Sequence, residues 1–344
     1  MQWTRGHRHA WWRAREPRAI DRERSGIDYG LGDVSPYEVL CRCADSLRGA
    51  GAVFGAYDDR CLVEDREVLA TARSHLGPNV AVSLTESPDD VLVTLRLFPL
   101  AHAIRAEAHQ HRTEKRRREA TEAGLDLLRL ANVMRRGGLI ADLLLSLRVE
   151  SMAFNVLRAL RALWGESECE SVVAALATIH DERETYSETV RRDREWEGRN
   201  VPSCPSPTIE QRREEWKVEF GASDQCAVIL DTFMPGAVLQ QRYNLEKRGI
   251  AMARLLCCEA AIAIEGHRGE PLETIPVHRL PSYLLAVDPF STQQLVFRNP
   301  EQGRHLLYSV GPTGIDHHGH FGSWAEVESG VADLCLDYPS YESE

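Results

Sequence analysis

Residues 128–153 of the chain, LRLANVMRRGGLIADLLLSLRVESMA, contain the end of one predicted helix and the start of the next. Apolar residues recur at helical spacing before Gly137 and Gly138, and glycine is a common helix stop. The first helix is predicted to begin within RTEKRRRE, residues 112–119, where the sequence is charged. The second is predicted to continue through FNVLRALRALWG, residues 154–165. A joint this short makes the two helices antiparallel neighbours.

Two further helices are predicted around this pair. One begins at Ser167 and continues to Trp196, because Ser167 and Glu170 have the spacing of a capping box that opens a helix. The other is near the start of the chain, where Pro36 at the first helical position and glycines at the end predict a helix over residues 36–48. Consecutive helices with short joints indicate an antiparallel helical bundle.

The pattern changes in the last third of the chain. The stretch NVPSCPSPT, residues 200–208, contains three prolines and is typical of a linker. Residues 245–266 then predict a long alanine-rich helix. The runs QLVFRN (294–299) and HLLYSV (305–310) are short and apolar, and Gly303 in the loop between them favours a β-hairpin. The predicted fold is mainly α: a helical bundle-like N-terminal region followed by a small α+β unit made of a long helix and an antiparallel β-hairpin.

Length and pattern together predict how the chain is divided. At 344 residues, length alone favours two or three units of ordinary domain size. The first residues mix Arg, Trp and His without helical or strand periodicity. The predicted segments are a loosely ordered basic arm (1–35), a helical region (36–198), a proline-rich linker (199–208), a helix-plus-hairpin unit (209–328) and an acidic tail (329–344).

The net charge and hydropathy restrict the class of partner. A formal net charge of -11 argues against a protein that coats nucleic acid, because phosphate binding needs concentrated Lys and Arg. The N-terminal arm and the run Lys115 to Arg118 keep a nucleic-acid alternative open. No window reaches the roughly 18–20 apolar residues that cross a bilayer, so the chain as written is expected in the cytoplasm. An apolar anchor encoded upstream of Met1 would instead bring it to a membrane, at the cell envelope.

Cysteine and glycine patterns give weaker signals. Nine cysteines at irregular spacing predict mostly reduced thiols. Cys41 and Cys43 are too few for a structural zinc site, which takes four ligands, and Cys257 and Cys258 lie on the predicted alanine-rich helix. We expect both pairs to pack as small apolar side chains. The glycine-rich stretch at residues 49–55, GAGAVFG, lacks the preceding strand of a nucleotide-binding loop and is expected to end a helix.

The segment Asp316–His320, DHHGH, has the sharpest ligand pattern in the chain. Imidazole and carboxylate groups suit zinc and other transition metals, and Asp316, His318 and His320 would point the same way in an extended segment. His317 is a further candidate ligand. Neighbouring glycines favour instead a flexible loop that follows the hairpin. A metal-dependent hydrolase that uses this cluster is therefore the catalytic alternative.

The order of features near the C-terminus resembles a known family. A long helix, the phrase LPSYLLAVDPFSTQQLVFR (280–298) and then HLLYSVGPTGIDHHG (305–319) are similar to the C-terminal part of the major pseudopilins of type II secretion. With the helical phrase at 128–153, the chain also resembles uncharacterised bacterial proteins familiar from planctomycetes, over residues 60–320. The second resemblance implies no established activity.

The resemblance to pseudopilins implies a calcium site built from carboxylate and carbonyl oxygens, which this hard cation prefers. Asp288 and Asp316 match acidic positions of the family pattern, whereas Thr313 stands where the family has an aspartate. The chain also lacks the family's N-terminal apolar helix and cleavage site. On the residues alone, Asp288 and Pro289 are expected to turn the chain into the first strand.

The function expected from the sequence is non-catalytic. We predict a structural or interaction protein with a connection to the cell envelope and a degenerate pseudopilin-like C-terminal unit. Protein partners are expected, but the sequence does not identify them. No cofactor is expected, whereas the hydrolase alternative would need zinc and the pseudopilin pattern would need calcium.

Overall fold

The computed structural model describes residues 34–47, 65–84, 93–200, 237–269, 273–280, 286–298 and 305–337. The helices in these ranges are α1 (Pro36–Ser46), α2 (Arg66–Ser74), α3 (Phe98–Thr113), α4 (Arg117–Arg135), α5 (Ile140–Leu160), α6 (Glu166–Asp181), α7 (Tyr186–Asn200), α8 (Ala237–Arg268) and α9 (Trp324–Ser329). The strands are β1 (Val296–Arg298) and β2 (Leu306–Tyr308). Short 3-10 turns lie at Val93–Leu97, Arg161–Leu163 and Val277–Arg279. The predicted mainly α fold with a small α+β unit is thereby confirmed.

Several predictions fall on other parts of the chain. The basic arm up to residue 33, the glycine-rich stretch at 49–55 and residues 201–208 of the proline-rich linker lie outside the described residues. All the helices and strands named above belong to one compact unit, Pro36–Glu344.

The bundle core forms where α4 packs against α3 on one side and α5 on the other. Its leucines at positions 125, 127 and 130 are fully buried. Helices α4 and α5 approach closely at Gly124, where a methyl group would lie 2.7 Å from Leu157 Cδ2. The tight glycine joint predicted between α4 and α5 is present, with Gly137 at a φ of 76° that favours glycine.

Helix α8 follows the proline-rich stretch and packs against helices that precede it. It is longer than predicted, and it packs against both α6 and α5. Its buried side is formed by small and aliphatic residues, including Ala251, Leu255, Ala261 and Ile264. The helical region and the helix-plus-hairpin unit therefore share one hydrophobic core.

The helix predicted to begin within residues 112–119 begins inside that range, at Arg117. Helix α3 ends at Thr113, Lys115 takes a left-handed φ of 60°, and α4 begins at Arg117. The Arg116 N–H donates to the His111 carbonyl at 2.8 Å, which closes the end of α3. The break turns the chain so that α3 and α4 lie side by side.

The prediction of one helix from Ser167 to Trp196 is wrong in two respects. Helix α6 begins at Glu166, and the Gly165 N–H donates to Glu168 Oε2 at 3.1 Å, so the capping pair lies two residues earlier than Ser167 and Glu170. The helix also stops at Asp181, and α7 starts after a short turn. That turn places Arg183 beside carboxylates on α5 and α8. Local sequence does not predict the turn, because these carboxylates are far from Arg183 along the chain.

The C-terminal unit is a small β-structure set against α8. Strands β1 and β2 pair antiparallel as predicted, with Val296 opposite Tyr308. Ser309 extends the pairing to Leu334, and Phe321 bridges to Asp333. Residues 332–336, in the segment predicted as an acidic tail, are buried in this unit.

Apolar packing of the cysteine pairs is confirmed. Cys41, Cys43, Cys257 and Cys258 are completely buried and unoxidised. Burial raises the pKa of the Cys41 and Cys43 thiols to about 11 and that of Cys257 to about 12, so these thiols stay protonated at neutral pH. Among the described residues, no helix combines the length and the apolar character needed to cross a membrane.

The close approach of α8 to α5 gives a first prediction. A methyl group at Gly249 would lie 2.5 Å from Glu150 Oε2, so Gly249→Ala should lower the free energy of unfolding by about 1–3 kcal/mol. A methyl group at Gly266, on the same helix, meets no atom within 4 Å. Gly266→Ala should therefore leave the free energy of unfolding unchanged or raise it by up to about 1 kcal/mol. Urea unfolding of both variants measures the difference. Equal effects would contradict a steric requirement at Gly249.

Candidate functional site

The predicted ligand segment Asp316–His320, called here the histidine loop, is organised around Asp316. Its Oδ1 accepts hydrogen bonds from the Tyr308 hydroxyl at 2.9 Å and from the His318 N–H at 2.7 Å. Its Oδ2 accepts from Arg298 Nη2 at 2.6 Å. Partial burial opposes ionisation, but these three donors lower the pKa of Asp316 below its ordinary value. The carboxylate is thus held ionised by groups of the protein itself.

A second aspartate, Asp333, holds the backbone of the same loop. Its carboxylate accepts from the His317 N–H at 3.1 Å and from the Gly319 N–H at 2.9 Å. Its own N–H donates to the His320 carbonyl at 2.7 Å. Asp333 is fully buried. Sequence reasoning missed it, because nothing in its neighbourhood along the chain marks it as a partner of the loop.

The histidine side chains are placed differently from one another. His318 is 78% exposed with a φ of 61°, and its Nδ1 lies 3.6 Å from Asp316 Oδ2 and 3.1 Å from Arg298 Nη2. His320 is exposed, and His317 is half-buried. In the ranges that the structure describes, no group of three or more His, Cys, Asp or Glu side chains is arranged to hold a metal ion. The structure thus brings Asp316 and His318 together without completing a ligand set.

Asp288, the other acid matched to the pseudopilin pattern, lies at the entrance to the hairpin. Its Oδ1 accepts from the Phe290 N–H at 2.9 Å and the Ser309 hydroxyl at 3.0 Å, and its Oδ2 accepts from the Val310 N–H at 2.9 Å. Burial raises its pKa even though these donors and the nearby Arg254 oppose the rise. The expected turn into the first strand is confirmed, and Asp288 also ties that turn to the end of β2.

The strongest electrostatic feature of the described chain lies elsewhere, in the bundle. Two arginines and two glutamates from four separate segments meet at the α5–α8 contact: Arg135 at the end of α4, Glu150 on α5, Arg183 in the α6–α7 turn and Glu246 on α8. We call these four residues the charge cluster. Its two positive and two negative side chains balance.

The cluster is held by paired hydrogen bonds. Arg135 Nη1 and Nη2 donate to the two oxygens of Glu246 at 2.6 and 2.5 Å. Arg183 donates to Glu150 at 2.5 and 3.1 Å and to Glu246 at 2.9 and 3.1 Å. Two-pronged guanidinium–carboxylate contacts of this kind combine charge with fixed geometry. Arg183 therefore links helices α5 and α8 directly.

Burial makes these contacts necessary. The side chains of Arg135, Glu150 and Glu246 are at most 4% exposed. Burial alone would raise the pKa of Glu246, but Arg183 and Arg135 lower it below its ordinary value, so the carboxylate stays ionised. An ion removed from water costs several kcal/mol unless it is paired in this way.

One neighbouring histidine keeps the charges balanced. His180 lies in the last turn of α6, and burial, aided by Arg254 and Arg183, lowers its pKa to about 4. Asp181 and Glu246 act in the opposite direction and do not overcome these effects. His180 is therefore neutral at pH 7 and adds no further cation beside Arg183.

The sequence contains one indication of the charge cluster, at Glu150. Glu150 stands on the same helical stripe as Leu143 and Phe154, at i+7 and i−4, where an apolar residue is expected. A charged residue on a packing face predicts a buried partner. The identity of that partner was not accessible, because Glu246 lies on a different helix far along the chain.

A groove opens beside the charge cluster, between α5 and α8, with a cavity volume of about 60 Å³. We call it the α5–α8 groove. It shares Glu150 with the cluster. Its lining residues are Leu147, Glu150, Ser151, Phe154 and Asn155 from α5, and Leu245, Arg248, Gly249 and Met252 from α8.

Comparisons of the chain with protein-family models, with curated proteins and with solved structures found no match. The likeness to pseudopilins and to the planctomycete proteins accordingly stays a sequence-based prediction.

The position of Arg183 gives a second prediction. Arg183→Met removes the cation that joins Glu150 to Glu246, and among the described residues the ion pair left to Glu150 is the 3.7 Å contact with Arg135. The free energy of unfolding should fall by about 3–5 kcal/mol, the usual effect of leaving a buried charge without its partner. The matched control is Arg191→Met on α7, whose 55% exposed side chain pairs with Glu188 and Glu195 at the surface. Urea unfolding should show little change for it, and a similar loss in both variants would contradict the role of Arg183.

Proposed function

We propose that this protein is a non-catalytic structural or interaction protein. The observation that carries the proposal is the set of donors around Asp316, the one acid in the histidine loop. A metal ion would compete for the same two oxygens with the Tyr308 hydroxyl, the Arg298 guanidinium and the His318 N–H. The aspartates of the C-terminal unit act on the protein's own backbone, which is a structural role.

The arrangement of the C-terminal unit also supports the proposal. Asp288 links the entrance of β1 to the end of β2, and Asp333 links the histidine loop to the last strand-like segment. Together with Asp316, they join consecutive turns of the C-terminal unit. The pseudopilin-like long helix and hairpin are proposed as a scaffold in which protein groups have replaced an ancestral ion site.

Metal analysis tests this proposal against the hydrolase alternative. Protein purified without an affinity tag should contain zinc and calcium well below one equivalent by elemental mass spectrometry, and EDTA should leave its Tm unchanged. The double variant His318→Ala with His320→Ala should match the double variant His109→Ala with His278→Ala, which removes two exposed histidines elsewhere.

Two results would overturn the proposal. Stoichiometric zinc that is lost only in the His318 and His320 double variant would favour the metal-dependent hydrolase. Stoichiometric calcium together with a lower Tm in EDTA would favour a working pseudopilin-like ion site around Asp288 or Asp316.

We further propose an association with the cell envelope. The support is the pseudopilin-like order of features, since pseudopilins are envelope proteins. Protein expressed from its native locus should fractionate with the membrane in immunoblots of fractionated cells, and recovery in the cytoplasmic fraction alone would remove the envelope proposal.

A further inference from the structure

Residues 332–337, with the sequence ADLCLD, lie as an extended segment in a slot of the C-terminal unit. We call this segment the strap. On one side, Leu334 and Ser309 exchange two backbone hydrogen bonds of 2.9 Å each, directly after β2. On the other side, the Asp333 N–H donates to the His320 carbonyl at 2.7 Å. The strap is therefore bound between two other segments by backbone pairing, the geometry of β-augmentation.

The side chains of the strap are buried in this slot. Residues 332–336 are at most 6% exposed. The Asp333 carboxylate accepts from the N–H groups of His317 and Gly319. In β-augmentation the backbone pairing supplies affinity and the buried side chains supply specificity. The slot thus recognises the strap by backbone pairing, apolar side chains and one carboxylate together.

The far end of the strap is anchored on the helical bundle. Arg158 on α5 donates to the Leu336 carbonyl at 3.4 Å. Arg161, in the 3-10 turn after α5, pairs with the Asp337 carboxylate. These arginines, like the residues that line the slot, belong to other elements of the fold. Each contact therefore depends on where the strap lies, and not on which copy of the chain supplies it.

A glycine turn connects the strap to helix α9. Gly330 has a φ of 80°, and its N–H donates to the Val327 carbonyl at 3.2 Å. A methyl group at Gly330 would overlap Thr313 Cγ2. The turn into the slot thus requires glycine, both for its left-handed φ and for space. An extended chain at the same position would accept any residue.

We propose that the strap exchanges between two copies of the chain, so that the strap of each copy fills the slot of the other in a symmetric dimer. The partner is a second copy because the slot already shows its occupant, the strap itself. The same strap contacts form in both arrangements, and the difference lies in the hinge at Gly330, which turns back in the monomer and extends in the dimer. The exchange goes beyond the proposed function and does not depend on it.

The closed hinge sets the balance between monomer and dimer. A segment joined by a short connection has an effective concentration on the order of a millimolar at its own slot. The parent chain should therefore be mainly monomeric at micromolar concentration. A change that strains the closed turn, and leaves the extended hinge unaffected, should shift the balance towards the dimer.

A strained hinge tests the exchange on the full chain. Gly330→Ala opposes the closed turn, so it should lower the Kd of the dimer at least roughly tenfold. The matched control Gly269→Ala changes a glycine with a similar φ of 74° at the end of α8, where a methyl group meets no atom within 4 Å, and it should remain monomeric like the parent chain. Each chain is refolded from urea at a series of concentrations, and light scattering after size exclusion gives its mass.

A pair of charge variants in the parent hinge locates the dimer contact at the strap. Arg161→Asp and Asp337→Arg each bring like charges together when a chain binds its own strap. When the two variants exchange straps with each other, each slot again contains one arginine and one aspartate. After the two are refolded together, heterodimers should outnumber both homodimers combined in native mass spectrometry, whereas random pairing gives equal amounts.

Three results would overturn the proposal. The first is a folded Gly330→Ala chain, checked by circular dichroism, that stays as monomeric as the parent. The second is dimer formation by Gly269→Ala equal to that of Gly330→Ala, which would show general association during refolding. The third is random pairing, or no dimer, in the mixture of charge variants, and this result decides the question if Gly330→Ala does not fold.

Discussion

The fold depends on the charge cluster at the contact of α5 and α8. Four side chains from four segments must be present together, because each buried charge is tolerated only when its partners are in place. Arg183 has the central position, since it donates to both Glu150 and Glu246. Apolar packing between α8 and α6 supplies attraction without direction, whereas the two-pronged contacts of Arg183 and Arg135 determine the register of α8 on the bundle.

This constraint also shapes the surface next to it. Gly249 is needed where α8 passes Glu150, and the space left beside it is the α5–α8 groove. Glu150 lines the groove and is neutralised by Arg183 within the cluster. The buried charge cluster and the groove beside it are thus parts of one arrangement.

The C-terminal unit shows a different use of acidic residues. Asp288, Asp316 and Asp333 each accept hydrogen bonds from backbone N–H groups in the turns around the hairpin. Carboxylates hold such turns through charge-assisted hydrogen bonds to the backbone. In the sequence, two of these acids resemble ion ligands, because an acid that organises a loop and an acid that binds a cation have the same local pattern. The surrounding side chains distinguish the two roles. At Asp316 they are the donors Tyr308 and Arg298.

Much of the local structure followed from the sequence. The 3.6-residue periodicity, the glycine pair after Arg136 and the hairpin signal around Gly303 correctly predicted the helical region, the α4–α5 joint and the pairing of β1 with β2. These features depend on neighbouring residues, so they can be inferred without knowing the rest of the fold. The stop between α6 and α7 was not predicted, because its cause is a contact with distant carboxylates.

The sequence by itself determined the helical character of α1, α4, α5, α6 and α8, the position of the hairpin and the burial of the cysteine pairs. Only the tertiary structure decided that α8, which follows the proline-rich stretch, packs into the bundle core, that Arg183 pairs with both Glu150 and Glu246, and that Asp333 holds the histidine loop. The physical reason is the range of the interactions. Helix propensity and turn chemistry act over a few residues, whereas the pairing of buried charges requires a partner that the chain brings close only when it has folded.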